Sequence, residues 1–215
     1  MVRKTKEEAA ITYSQLLDAA EEVFFVKGYS KTTLMDVANH AKLTRGAIYW
    51  HFKNKIELFE AMVERVRLPL ESLAEAYTDE NEENPLGKLH DFSVKILKQA
   101  ATDVHYQRVF SIIMHKFEYN GEVTPIEERS KSAFFNCRER IERTFNNAIK
   151  RGQLHKDIDI KQAAIAKQAY FNGIISNWIF APETFNLATM SESLVENYFY
   201  MLSHSPHIHL RKEQI

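Results

Sequence analysis

A single cysteine, Cys137, leaves the chain without the pair that an internal disulfide needs, and it suits a reducing compartment. Charge of one sign is lacking too, with 28 basic residues against 29 acidic and a formal net charge of −1. No apolar run approaches the roughly 18 residues of a spanning helix. The opening "MVRKTKEEAA" has no apolar core of the kind a secretory signal carries. A cytoplasmic protein with no membrane partner is therefore expected. Catalytic signatures are missing as well: no Gly-rich phosphate loop, HExxH, CxxC or G-x-S-x-G can be found. Only six glycines and five prolines interrupt 215 residues, and no β-alternating run of useful length survives.

What is present is 45% hydrophobic, 12% aromatic and 27% charged, a mixture that buries a real core. The charge is uneven along the chain. Residues 1–55 hold nine Lys/Arg against six acids, giving +3, and the remainder carries −4. A basic N-terminal quarter on an acidic body points to one end meeting a polyanion, although a solvated charged face has the same look.

Helical spacing dominates. Leu16, Leu17, Ala20, Val23 and Phe24 recur at three- and four-residue steps over 12–27, stopped by Gly28. Thr33 is a good N-cap for "TTLMDVANHA", and a short helix over 45–52 follows the break at "KLT". A longer helix is expected over 55–77, then a polar loop at 78–88. Further helices are expected over 86–102, 104–118, 125–151, 160–180 and 188–203. The fold class is all-α. The pattern divides into an N-terminal module at 1–54, a helical bundle at 55–204, and a mobile tail at 205–215.

Within 43–55, "LTRGAIYWHFKNK" crowds Tyr49, Trp50, His51 and Phe52 into one short helix. Stepping about 100° per residue puts Ile48 and Phe52 on one face. Gly46, Tyr49 and Trp50 fall on the other side, with Arg45 on the shoulder. An outward aromatic pair beside an arginine is an odd surface unless something docks there. Two short helices separated by a few residues form a helix-turn-helix, whose second helix enters the DNA major groove. Arg45 can then reach guanine or a phosphate, and Tyr49 a phosphate or a thymine methyl. Thr33 and Thr44 offer hydroxyls at helix N-termini. His51 and Lys55 flank the groove, Gly46 permits close approach, and Trp50 lies between groove edge and packing. The plain alternative is a hairpin whose aromatics pack on the body.

The run "TTLMDVANHAKLTRGAIYWHFKNKIELF" closely resembles the helix-turn-helix of the TetR family of bacterial transcriptional repressors. The segments "VRKTKEEA", "HKFEYNGEV" and "NWIFAPETFNL" are similar to its AcrR-type subgroup, which represses multidrug efflux pump genes. The resemblance implies a homodimer on double-stranded operator DNA, an inverted repeat, with the first three helices reading it. It implies a C-terminal ligand-binding domain that dimerises through its last two helices and releases DNA on binding a small hydrophobic inducer. No cofactor is implied. One departure stands out: the family turn reads Ala-Gly-Val-Thr, whereas here it is Ala41-Lys42-Leu43-Thr44. Lys42 is expected at positive φ, with a phosphate contact as its compensation.

In the body, aromatic and Met side chains are abundant. A filled core has the same pattern, but the resemblance adds a roomy apolar pocket, with Phe110, Met114, Phe117, Phe135 and Phe171 as its expected wall and Arg67 as a polar contact. Pro69 falls inside the connecting helix, where it either bends the axis or opens a new helix, and it marks the expected pivot. Ala163, Ala164, Ala166 and Gly173 suit a close helix–helix dimer contact, although an internal helix pair has the same composition. Two enzyme-like constellations remain. His115 with Glu118 has acid/base spacing on a helix, the basis for an alternative reading as an all-helical enzyme acting on a small apolar substrate. His204, His207 and His209 have metal-ligand chemistry, but no metal is expected in a mobile tail.

Overall fold

In the computed structural model, which describes residues 6–116, 125–205 and 208, every element among the described residues is helical. They are α1 (Lys6–Lys27), α2 (Leu34–His40), α3 (Arg45–His51), α4 (Lys55–Thr78), α5 (Pro85–Thr102), α6 (Val104–Ser111), α7 (Pro125–Lys150), α8 (Ile160–Phe180) and α9 (Leu187–His204). α6 runs on as one π-helical turn, Ile112–Lys116. α1 begins six residues before its apolar periodicity does, because Lys, Glu and Ala continue a helix with no core to face. α4 runs through Pro69 without restarting. Proline there donates no N–H to the Arg65 carbonyl, so the helix lacks one rung.

The chain packs as two compact units, Met1–Leu68 with Val104–Arg129 and Pro69–Asp103 with Ser130–Ile215. The described part of the expected N-terminal module, 6–54, lies in the first, which also takes the first half of α4 together with α6. The reason is a shared core. Leu16, Ala20 and Phe24 of α1 meet Val37, Ile48, Leu58 and Met62 in one buried cluster that Val109 and Ile112 complete. Phe24, Tyr29 and Phe59 pack edge-on and stacked, with centroids 5.0–5.7 Å apart.

A charged group lies inside this unit. Glu21 on α1 is fully buried, and its carboxylate accepts from the Arg65 guanidinium of α4 and from His105 Nδ1 of α6 at 2.6 Å. Arg65 also donates to Asp18 Oδ1 at 2.7 Å. Next to it, Glu22 takes His40 Nε2 at 2.7 Å and Arg108 Nη1 at 3.3 Å.

The second unit pairs α5 with α9 and sets α8 against both. The Tyr198 hydroxyl, buried on α9, donates to the Ala163 carbonyl of α8 at 2.8 Å. Ala163 and Ala164 are fully buried inside the unit, which favours the internal helix pair of the two readings for them. Of the expected tail, 205–215, only residues 205 and 208 are among the described residues. Ile208 is buried, and its carbonyl accepts the Asp159 N–H at 2.8 Å.

Candidate nucleic-acid interface

α2 and α3 are seven residues each, and each depends on a cap. Thr33 Oγ1 accepts from Asp36 N–H at 3.1 Å while the Thr33 N–H donates back to Asp36 Oδ2 at 2.9 Å, a closed capping box. The Thr33 hydroxyl also donates to Asp36 at 2.8 Å. Lys27, 2.7 Å away, is the main reason the Asp36 carboxyl is held down to about 2. The Thr33 N–H and hydroxyl thus both meet the Asp36 carboxylate, and Thr33 stays exposed at the start of α2. Thr44 Oγ1 accepts from Ala47 N–H at 3.2 Å and starts α3.

The turn between them is a Schellman motif. Leu43 N–H donates to the Ala38 carbonyl at 2.9 Å and Lys42 N–H to the Asn39 carbonyl at 3.1 Å, which requires Lys42 at φ 56. The same pair of bonds closes α7 at Gly152, φ 73. One chain therefore holds the same motif with and without the glycine that it favours. Lys42→Gly is expected to stabilise the fold by about 1 kcal/mol, read as a higher denaturant midpoint with unchanged slope.

α3 buries one side and opens the other. Ile48 is fully buried and Phe52 nearly so, while Phe52 stacks on Tyr13 of α1 with centroids 5.2 Å apart. Thr44, Arg45 and Gly46 are exposed. Tyr49 is 46% exposed and Trp50 is 72% exposed. Arg45 lies over the Tyr49 ring, 5.4 Å from its centroid, so the two share a face. A Cβ built on Gly46 would meet nothing nearer than Thr44 Oγ1 at 3.9 Å. Nothing inside the protein requires a glycine there.

Two flanking residues are less free than expected. His51 is half-buried, with its ring against Trp50 and Tyr13 at 4.5 and 5.6 Å between centroids. Lys55 donates to the Tyr29 and Ser30 carbonyls at 2.8 and 3.4 Å and lies 4.3 Å from the Tyr29 ring centroid. Burial pulls its ammonium below the usual lysine range. It ties the start of α4 to the loop after α1.

The expected ligand residues sit as follows. In the first unit, Arg67 is half-buried near Glu64 at 3.7 Å, Phe110 stacks on Tyr106, and Met114 is exposed on the π-helical turn. In the second, Phe135 is exposed on α7, while Phe171 is buried against Tyr170 and Tyr198. Phe117 lies outside the described residues. A cleft of about 480 Å³ in the second unit, beside Trp178, Phe185 and Leu187, includes none of them. Of the enzyme-like pairs, His115 is exposed and Glu118 lies outside the described residues, as do His207 and His209. Among the described residues no three metal-binding side chains cluster, and no helix is long and apolar enough to cross a membrane.

Comparison with known proteins fits this geometry. Residues 16–62 match the model for bacterial regulatory proteins of the tetR family. Residues 84–204 match the C-terminal region of MAATS-type transcriptional repressors. The HTH-type transcriptional regulator TtgR of Pseudomonas putida is 37% identical over 206 residues, covering 96% of this chain and 98% of that protein. The crystal structure of NalD, the secondary repressor of the MexAB-OprM multidrug efflux pump in Pseudomonas aeruginosa, superposes with a TM-score of 0.80 at 34% identity, covering 93% of this chain and all of that one. SmeT in complex with triclosan, the repressor of a Stenotrophomonas maltophilia efflux pump, also gives 0.80, at 27% identity over 94% of this chain and 96% of that one.

Proposed function

The chain belongs to the TetR family of bacterial regulatory proteins, and we propose on that premise a homodimeric repressor that holds an inverted-repeat operator and releases it to a small hydrophobic or aromatic ligand. The observation that carries this reading is α3, with Ile48 and Phe52 inside and Arg45, Gly46, Tyr49 and Trp50 outside. A helix held by one face offers the other to a major groove. Arg45, oriented over Tyr49, is the base-reading residue; Thr44, Tyr49, Trp50 and His51 line the groove or its phosphate edges. Thr33, Lys42 and Lys55 are proposed contacts to the DNA backbone, and Thr33 and Lys55 also hold the ends of α2 and α4.

The regulated gene is proposed to be a multidrug efflux operon, since NalD and SmeT are described as repressors of such pumps. Dimerisation is assigned to α8 and α9, which leave Ile165, Phe180, Tyr200 and Met201 exposed at 49, 84, 67 and 38%. The protein works in the cytoplasm without catalysis or cofactor. Arg67, Phe110, Met114, Phe117, Phe135 and Phe171 are the candidate ligand contacts.

Two substitutions test the operator face. Gly46→Ala is expected to stabilise the free protein by about 0.5 kcal/mol, because Gly is a poor helix residue and the added methyl meets open space. The same methyl weakens operator binding if the backbone approaches DNA there. Equal or tighter binding by the more stable variant contradicts that approach. For Lys42→Gly, the slope of log K against log salt should fall by about one unit for each phosphate that the lysine neutralises. An unchanged slope removes Lys42 from the interface. Selection of bound DNA from a random pool, followed by gel shift, tests the function itself.

A further inference from the structure

α8 turns Ala163, Ala164, Lys167, Gln168, Phe171 and Ile175 into the second unit. Five of these are apolar or neutral, and the sixth is an ammonium. Lys167 is only 7% exposed, and among the described residues no carboxylate lies within 4 Å of it. The Phe171 ring one turn along faces it, 4.4 Å from Nζ to the centroid. An aromatic face weakly stabilises a cation but does not neutralise it. Burial accordingly pulls the Lys167 ammonium down to about 8.

The neighbouring residues repeat the theme. Gln168, also buried, accepts from Arg138 Nε at 3.2 Å and donates to the Phe134 carbonyl at 3.0 Å. That fixes the 134–138 stretch of α7 against α8. The Arg138 guanidinium lies over the Phe134 and Phe135 rings, 5.0 and 5.9 Å from their centroids. Arg138, too, has no carboxylate within 4 Å among the described residues. Phe134 and Phe135 pack edge-on against each other under that guanidinium and stay 42 and 53% exposed. Where Gln168 ties α8 to α7, two cations thus lie without a carboxylate within 4 Å among the described residues, Arg138 over Phe134 and Phe135 and Lys167 over Phe171.

A packed helical core has no use for such an ammonium; Met or Leu would fill position 167 at lower cost. An anion arriving from outside supplies the missing charge, and its apolar part meets rings already in place. We propose that Lys167 is the recognition residue for the anionic group, a carboxylate or phenolate, of a small aromatic ligand held at the α7–α8 seam. Arg138 attracts that group on entry, and Phe134, Phe135 and Phe171 take the ring. The proposal rests on the ligand-responsive reading above and names the ligand's chemical class.

The test uses the full-length protein at pH 7 and two probes of one shape, 2-naphthoate and 2-naphthamide, titrated by calorimetry into wild type, Lys167→Met and Lys167→Arg. Wild type is expected to prefer naphthoate at least tenfold. Lys167→Met should erase the preference by weakening naphthoate alone, and Lys167→Arg should keep most of it. Equal affinities in wild type, a preference that survives in Lys167→Met, or no binding of either probe would each overturn the proposal. Operator release by uncharged compounds, without a naphthoate preference, overturns it while leaving the repressor reading intact. Absence of operator binding removes the repressor reading and leaves the naphthoate ratio to be judged alone.

Discussion

Arg65→Met is expected to destabilise the protein by about 3 kcal/mol, because removing one partner of a buried ion pair leaves the other uncompensated. Glu21 is fully buried, and Arg65 and His105 are the groups its two oxygens meet. Without the guanidinium, one carboxylate oxygen faces the Leu16–Phe24 core with only His105 beside its twin. The control is the double variant Glu21→Gln with Arg65→Met, which should cost clearly less than Arg65→Met alone, since no charge is then stranded. The exposed pair Lys98–Glu192, at 49 and 67% exposure, provides the contrast: breaking it should cost under about 1 kcal/mol. Urea midpoints read all three. A loss within about 0.5 kcal/mol for Arg65→Met would mean that Glu21 is hydrated or neutral rather than held by the pair.

Operator affinity should fall roughly a hundredfold or more in Arg45→Ala. A bidentate arginine–guanine contact contributes about 1–3 kcal/mol, and a dimer loses two of them. Folding should hardly change, because Arg45 is exposed and its one internal contact is the Tyr49 ring at 5.4 Å. Arg45→Lys separates the two ways arginine acts. If the planar fork reads a base, lysine fails to restore specificity. If Arg45 only touches phosphate, lysine restores binding and the loss in Arg45→Ala is shared by all sequences. Gel shifts on operator and random duplex, each at two salt concentrations, distinguish these outcomes.

Local signals in the sequence carry far. Thr33, Thr44 and the spacing between them define α2 and α3, because short helices depend on caps and caps are local. The positive φ of Lys42 is legible for the same reason, as the turn fixes it and not the surroundings. Exposure of Tyr49 and Trp50 follows from the angle each makes with Ile48 and Phe52. What escapes is tertiary. The internal partners of Thr33 and Lys55, Asp36 and the Tyr29 carbonyl, are not visible in sequence.

Glu21 and Lys167 are easily passed over, because a charge inside an apolar stripe reads as noise in periodicity. Yet each sits four residues from a buried apolar position, Leu17 and Ala163, and three or four before another, Phe24 and Phe171. That spacing is the signal that finds them. Ala163 and Ala164 leave two readings open in sequence, since small residues permit close packing but do not say against which helix; their burial favours the internal pair.

On the proposed mechanism two copies of α3 grip DNA, and a ligand makes them let go. The most direct measurement is a footprint on DNA selected from a random pool, taken with wild type and Arg45→Ala and repeated with a bound aromatic ligand. The expected result is an inverted repeat with half-sites one helical turn apart, about 34–36 Å, protected by wild type alone and lost on adding ligand. Protection of any sequence alike, equal in Arg45→Ala and unaffected by ligand, would contradict it.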